Sequence, residues 1–398
     1  MTEQLTDLPL YPFETWSPVD VDPQLMRYLT ENPVPRVRLA TGQEVLLALR
    51  HEDVRQVLGD PRFSRAEACG PEVPSVIPLA PPGVIVNMDP PEHTRLRRLV
   101  ASAFTYHRVE RLRPHVQEIV DGLLDTMADN GPPADLVTIL NPLPATVICE
   151  LLGITEEDRP RLSAFLDVMT ATEKPTPEQA AATWQTSTEC VLDLVERKRN
   201  RPEDDMISAL VQVHDGTDRL SQQELVMTVL TLIGGGIETT AIHLPSSLLT
   251  LLRHPDQMTL LIENPELVPS AIEELLRFVP FSPALLTRVA TTDIELGDVT
   301  LSAGDMIIPV QTAADHDPTV FADPDQFDIT RTNASKHVRF GYGVHFCLGA
   351  SLARQEMQIA IASLLTRFPT IRLAVPDAEL QFNTDHLFKP LRALPVTW

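Results

Sequence analysis

Apolar residues recur at three- and four-residue spacing over 92–105, 107–130, 142–153, 156–170 and 176–199, which predicts a succession of amphipathic helices. Ser221 opens a further helix with a capping box, because Glu224 lies three residues on and can return a bond to the cap backbone. That helix runs to Arg253, a length of roughly 50 Å at 1.5 Å per residue. A last helix is predicted over about 349–367. Shorter runs read as strands: Arg36 to Ala40, Glu44 to Leu49, Thr287 to Ala290, Ile294 to Leu296 and Met306 to Val310. The pattern is thus largely helical with a smaller β-rich share, and length alone leaves open one large fold or two or three domains. The β-rich portions lie near 30–60 and 284–335, and the helical core over 92–280 and 349–367. A proline-rich loop from Cys69 to Pro91 suits neither helix nor strand, and long loops of this kind are often functional.

Composition is that of a globular chain, with 43% hydrophobic and 22% charged residues among 398 and proline high at 36. The formal net charge of -23 argues against nucleic acid and against an anionic membrane surface. The acidic, proline-broken start has no secretion-signal pattern, and no apolar run is read as long enough to span a bilayer. Cysteines at 69, 149, 190 and 347 form no close pair, which suits a reducing cytoplasm. Only four basic residues are lysines, namely Lys174, Lys198, Lys336 and Lys389, an arginine bias consistent with a GC-rich genome.

Two segments carry chemistry. Phe340-Gly341-Tyr342-Gly343-Val344-His345-Phe346-Cys347-Leu348-Gly349 concentrates glycines, a histidine and a cysteine just before the last helix. Glycines at that density indicate unusual dihedrals or close approach to something flat, and a helix N-terminus favours thiolate. A cysteine in an apolar segment is ordinarily a small buried hydrophobe, the reading adopted for Cys69, Cys149 and Cys190. The second segment, Gly234-Gly235-Gly236-Ile237-Glu238-Thr239-Thr240, puts three glycines inside a helix at about 1 kcal/mol each. Either the glycines serve helix packing and the threonine bonds back to a carbonyl one turn earlier, or the helix opens locally beside an acid and an alcohol.

Together these segments resemble the cytochrome P450 family, which implies that family's fold, mainly α with a smaller β-rich lobe, in one domain over 1–398. The first matches its haem signature F-G-x-G-x-H-x-C-x-G, followed by Leu352-Ala353-Arg354, and the second its G-x-E/D-T-T motif. The resemblance implies a haem b whose iron is ligated by the Cys347 thiolate, with His345 on a propionate and Phe340 beside the sulfur. It makes Gly341, Gly343 and Gly349 steric requirements. It assigns Thr239 to hydrogen-bond dioxygen at the iron and Glu238 to relay protons, with a widened turn near Gly235 holding water. His93, Arg97 and Arg288 become propionate partners. Glu274-Leu275-Leu276-Arg277 matches the family's E-x-x-R brace, whose usual third member is an arginine in P-D-R-F. Here Pro324-Asp325-Gln326-Phe327 has glutamine, and Arg331 is the candidate replacement. Pro245 predicts a kink in the long helix, and His243 reads as a packing or channel residue.

The implied activity is insertion of one oxygen atom from O2 into a largely apolar small molecule, by hydroxylation or epoxidation. Polyketides and macrolides of antibiotic biosynthesis are the leading substrate class. Electrons are expected from NAD(P)H through a separate ferredoxin reductase and ferredoxin, in the cytoplasm, without nucleic acid or membrane. The pocket is expected to use Val84, Val86, Leu232, Gly235, Ala284, Leu285, Leu387 and Phe388. A basic run, Arg95, Arg97, Arg98, Arg108, Arg111 and Arg113 against Glu110 alone, could steer an acidic redox partner. The competing readings are a peroxide-using or coupling haem-thiolate enzyme, and a non-catalytic haem-binding protein.

Overall fold

The structure, a computed structural model, describes residues 8–13, 17–69, 83–162, 176–215, 220–281, 287–384 and 388–398. The chain divides into two compact units. The first holds residues 1–77, 273–327 and 331–346, and the second residues 78–272, 328–330 and 347–398.

The first unit is built on a six-stranded mixed sheet in the order Leu10–Tyr11, Arg36–Leu39, Glu44–Ala48, Met306–Pro309, Arg288–Ala290, Phe63–Ser64. Glu44–Ala48 pairs antiparallel with Arg36–Leu39 and parallel with Met306–Pro309, so that Leu46 faces both Arg36 and Ile307. Period-two alternation divides its side chains between two cores. Val45 and Leu47 pack with Val37 and Ile308 on one side, and Leu46 and Ala48 with Ile307 and Val57 on the other. Burial on both faces explains why this strand reads as nearly continuous apolar sequence. The helix His51–Gly59 follows directly and packs on that second core through Val54, Val57 and Leu58.

The second unit is helical around Gln222–Arg253, a 32-residue helix whose capping box forms as expected. Ser221 Oγ accepts from the Glu224 N–H at 3.1 Å, and Glu224 Oε2 accepts from the Ser221 N–H at 2.7 Å. Pro142–Leu152, Pro177–Asn200, Met206–Asp215 and Ala350–Arg367 pack against it. This helix corrects the expectation about bilayer-length segments: its most apolar 18-residue window has a mean hydropathy of 1.6, long and apolar enough to cross a membrane by composition. Glycine, threonine, serine and proline interrupt its apolar residues, and Glu238 is the only Asp, Glu, Lys or Arg between Leu225 and Leu252. Here the length is a core helix, buried from Leu225 to Leu230 and from Ile242 to Leu251. It also stays one helix through Pro245.

Other boundaries moved. The predicted helix over 107–130 is two, Tyr106–Arg111 and Arg113–Asn130, because Pro114 belongs at a helix start and has no N–H to continue the first. Met206–Asp215, a short apolar helix held at its start by Asp205 Oδ1 accepting from the Ser208 N–H at 2.7 Å, went unread. The segment predicted helical over 156–170 lies outside the described residues beyond 162.

Asp53, in the first turn of His51–Gly59, is buried and has Glu52, Asp298 and Asp317 around it with Arg50 as the opposing cation. Burial, more than its acidic neighbours, pushes its carboxyl up to about 6. A carboxyl raised on folding holds a proton that the unfolded chain has already lost above its ordinary value near 3.8, so its contribution to stability declines as pH rises from about 4 to 6. Asp53→Asn is therefore expected to gain on the parent across that window, reaching about 1–3 kcal/mol at neutral pH. Denaturant unfolding from pH 4 to 7 checks this, and a difference that does not grow with pH contradicts it.

Candidate active site

Cys347 begins the last stretch of the second unit, three residues before the helix Ala350–Arg367, whose N-cap is Gly349. Among the described cysteines, Cys149 and Cys190 are buried, Cys69 is half-buried and Cys347 is exposed. None is in a disulfide. The electrostatics of Cys347 differ from the helix-terminus expectation. Crowding by protein pushes its thiol up, and the Gly349 N–H, Arg97 and Arg354 offset only part of that. Arg97 bears the mirror-image effect: burial lowers its guanidinium, while the nearby Cys347 raises it.

His93 and Arg97 lie one turn apart on the helix Glu92–Ala103, His93 buried and Arg97 half-buried. Pro91 precedes the helix and Glu92 begins it, proline and acid where a helix start favours them. The short turn Ile85–Asn87 packs against both this helix and Gln222–Arg253, bringing Val84, buried, and Val86, exposed, to their side. Arg95 reaches across to Glu224 at the cap of the long helix. On the long helix, Leu232, Glu238 and Thr239 are half-buried and Gly235 is exposed.

The glycine cluster resolves into two functions. A Cβ on Gly236 would sit 2.8 Å from Ile148 Cγ1, so this glycine is required by close packing of Pro142–Leu152 against the long helix. A Cβ on Gly235 would meet nothing within 4 Å. No widened turn is present: the segment is regular α-helix, and Thr239 Oγ1 donates to the Gly235 carbonyl at 2.7 Å. The back-bonded threonine anticipated as the packing alternative is what the structure contains. The preference for i→i−4 bonding by an intrahelical threonine accounts for it.

In the first unit, the E-x-x-R pair is fully buried on the helix Val268–Phe278. Arg277 Nε and Nη2 donate to the two Glu274 oxygens at 2.7 and 2.8 Å, and Nη1 donates to the carbonyls of Asp315 and Pro324 at 2.8 and 3.0 Å. Arg331 takes the third position where Gln326 replaces arginine. Its Nε donates to Glu274 Oε1 at 3.2 Å, and its guanidinium caps the carbonyls of Ala322, Asp323 and Gln326.

Sequence reasoning missed a second set of braces. Arg339 donates to the carbonyls of Leu276 and Val279, each at 2.8 Å, and pairs with Asp315 at 3.5 Å. Asp315 Oδ1 accepts from the Val338 N–H at 2.7 Å, and Gln311 donates to the Arg339 carbonyl at 3.1 Å. An arginine immediately before the Phe340–Gly349 segment was the signal available. Phe340 is half-buried near Phe346, ring centroids 6.4 Å apart, and His345 ends a 3-10 turn from Gly343. Arg288 is buried in its strand and donates to the Thr287 carbonyl at 3.2 Å. Phe388 is buried, while Ala284, Leu285 and Leu387, with most of the Cys69–Pro91 loop, lie outside the described residues.

Residues 154–388 match the sequence profile of the family described as Cytochrome P450. The chain is 46% identical to "Nocardicin C N-oxygenase" of Nocardia uniformis subsp. tsuyamanensis, covering 99% of each protein. The chain belongs to the cytochrome P450 family. It is also 42% identical to "Mycinamicin IV hydroxylase/epoxidase" of Micromonospora griseorubida, over 92% of each. Among solved structures, the LnmA cytochrome P450 hydroxylase from the leinamycin biosynthetic pathway of Streptomyces atroolivaceus S-140 superposes with a TM-score of 0.90 at 41% identity, over 98% of this chain and 100% of that one. This P450 is accordingly a haem-dependent oxidoreductase of the monooxygenase type, mainly α with a small mixed sheet. The donor set fits the family's haem: a reachable thiol stands in a segment whose Val344 and Phe346 are 49% and 43% exposed, apolar surface of the kind a flat macrocycle covers.

The two glycines give opposite expectations. Gly236→Ala overpacks Ile148 and should cost about 1–3 kcal/mol in the parent and much less when introduced into Ile148→Ala. Gly235→Ala should be neutral or gain up to about 1 kcal/mol. Denaturation midpoints of the parent, the three single variants and the double variant test this, and equal costs at 235 and 236 contradict it.

Proposed function

We propose that this P450 oxygenates a largely apolar small molecule of secondary metabolism, with macrolides and other polyketides as the first class to test. The observation carrying this is the exposed thiol of Cys347 beside Arg97, at the start of the helix Ala350–Arg367, in a chain whose relatives include a hydroxylase/epoxidase of mycinamicin IV. Haem, when bound, supplies reductive activation of O2 and delivery of one oxygen atom to the substrate.

The remaining assignments belong to the chain. Cys347 would supply the thiolate ligand. His93, Arg97, Arg288 and His345 would hold the propionates, whose two charges require cations when withdrawn from water. Phe340 would pack beside the sulfur. Gly341 and Gly343 adopt φ of 75° and 71°, which side-chain-bearing residues rarely do. Thr239 Oγ1, bonded to Gly235 O at rest, would turn its hydroxyl toward the substrate side as a hydrogen-bond donor, and the Glu238 carboxyl would hold a proton drawn from solvent next to it. Val84, Val86, Leu232, Gly235 and Phe388 would line the substrate side with Ala284, Leu285 and Leu387.

Electrons would come from NAD(P)H through a ferredoxin reductase and a ferredoxin in the cytoplasm. The basic run is a weaker steering surface than its sequence suggests, because Asp204 and Glu224, distant in the chain, pair with members of it in addition to Glu110 within it. Arg108 and Arg111 share Asp204 at 3.6 and 3.1 Å, Arg95 pairs with Glu224, and Arg113 pairs with Glu110. The relative named as an N-oxygenase makes nitrogen an alternative site of oxygenation.

Spin-state titration of the haem-loaded protein against a panel of macrolides, other polyketides and nocardicin C tests the substrate class. A shift with a macrolide or other polyketide supports it, and a shift with nocardicin C alone, or with none of them, overturns it. For the proton assignment, Thr239→Ala should keep NAD(P)H consumption within about twofold while product per NAD(P)H falls by about tenfold or more. Unchanged coupling contradicts the role of Thr239.

A further inference from the structure

The turn Gly341–Gly343 is docked in the first unit onto the C-terminal end of the helix His51–Gly59. A Cβ on Gly343 would lie 3.0 Å from both the Leu58 carbonyl oxygen and Gly59 Cα, so two backbones meet where neither residue has a side chain. A Cβ on Gly59 would lie 3.2 Å from the Tyr342 ring, which therefore rests against that glycine. Arg55, one turn earlier on the same helix face, lies over the ring as well. Its guanidinium carbon stands 4.3 Å from the Tyr342 ring centroid, and Nη2 donates to the Tyr342 hydroxyl at 2.7 Å. Tyr342 is 39% exposed, so solvent has access to the ring and packing alone would leave it free to swing out.

We propose that Arg55 and Tyr342 form a clamp, a pair of positioning residues that holds the turn five residues before Cys347 and so keeps its thiolate on the metal; this rests on Cys347 being the ligand. Arg277, Arg331 and Arg339 brace the loop from the bracing-helix side and up to residue 339, and no brace among them reaches residues 341–343. The clamp supplies restraint there. Arginine suits the position because its planar fork can lie over an aromatic face and still donate to the hydroxyl, which lysine cannot do in the same geometry.

The test uses haem-loaded parent, Arg55→Ala, Arg55→Lys, Tyr342→Ala, Tyr342→Phe and the double alanine variant. The readout is the rate at which the reduced carbon monoxide complex loses its long-wavelength Soret band to the shorter-wavelength band of a lost thiolate, beside thermal melting of each protein. Both single alanine variants should convert about three- to tenfold faster than the parent, with melting lowered by no more than about 1–2 °C. The double variant should be no faster than either single one, the non-additivity of groups acting as a unit. Tyr342→Phe, which keeps the ring beneath the cation, and Arg55→Lys should fall between parent and alanine. Conversion at the parent's rate in both alanine variants overturns the proposal, including the case where their reduction by ferredoxin slows, which would make the pair a partner contact. Acceleration matched by a proportionate loss of melting temperature also overturns it, as general destabilisation. A parent with no long-wavelength band would instead refute the ligand assignment beneath it.

Discussion

Arg277 is a fully buried guanidinium, and the first unit is arranged to satisfy it. An isolated charge at that depth is prohibitively costly, and removing one partner from such a pair typically costs about 3–5 kcal/mol. Glu274 offers both oxygens, and the carbonyls of Asp315, Pro324 and Gln326 take the remaining donors. Satisfying Arg277 therefore fixes where the chain must pass at 315 and 324. Arg331 then satisfies the remaining capacity of Glu274 and gathers carbonyls from 322 to 326. A buried ionic group of this kind specifies a backbone path more than it adds stability.

The same economy continues toward Cys347. Asp315 holds the Val338 amide and faces Arg339, which in turn holds the end of the helix Val268–Phe278. Burial works against both charges of that pair, pushing the carboxyl up and the guanidinium down, and each partner offsets part of the penalty on the other. Beyond residue 339 the restraint changes character. Glycine backbones at positive φ and the face of Tyr342 take over from ion pairs. In the second unit, steric fit again sets position: Gly236 admits Ile148, and the long helix is thereby fixed with Gly235 and Thr239 on its open side.

Elements defined by local pattern were legible in the sequence. The Ser221–Glu224 capping box, the strands Arg36–Leu39 and Ile294–Leu296 and the final helix lie at or within a residue of where periodicity and capping chemistry put them. So was the replacement of the missing arginine by Arg331, because the choice was between few cations. What escaped depends on contacts between residues distant in sequence. Asp204 pairs with both Arg108 and Arg111 from nearly a hundred residues away, and charge counting along 95–113 cannot reveal it. The split of the glycine cluster into one packed and one open position depends on Ile148. The bounds of the central helix were legible but its bilayer-length apolar content was not, because its small polar residues look like interruptions, whereas in a packed helix they are interior positions.

The account stands on Cys347 as the ligand to haem iron. The direct measurement is the carbon monoxide difference spectrum of the reduced, haem-loaded protein beside that of Cys347→His. The account predicts a long-wavelength Soret band in the parent that is absent from the variant. A parent that binds no haem, or gives only the shorter-wavelength band of a neutral ligand, or a variant that retains the long-wavelength band, would contradict it.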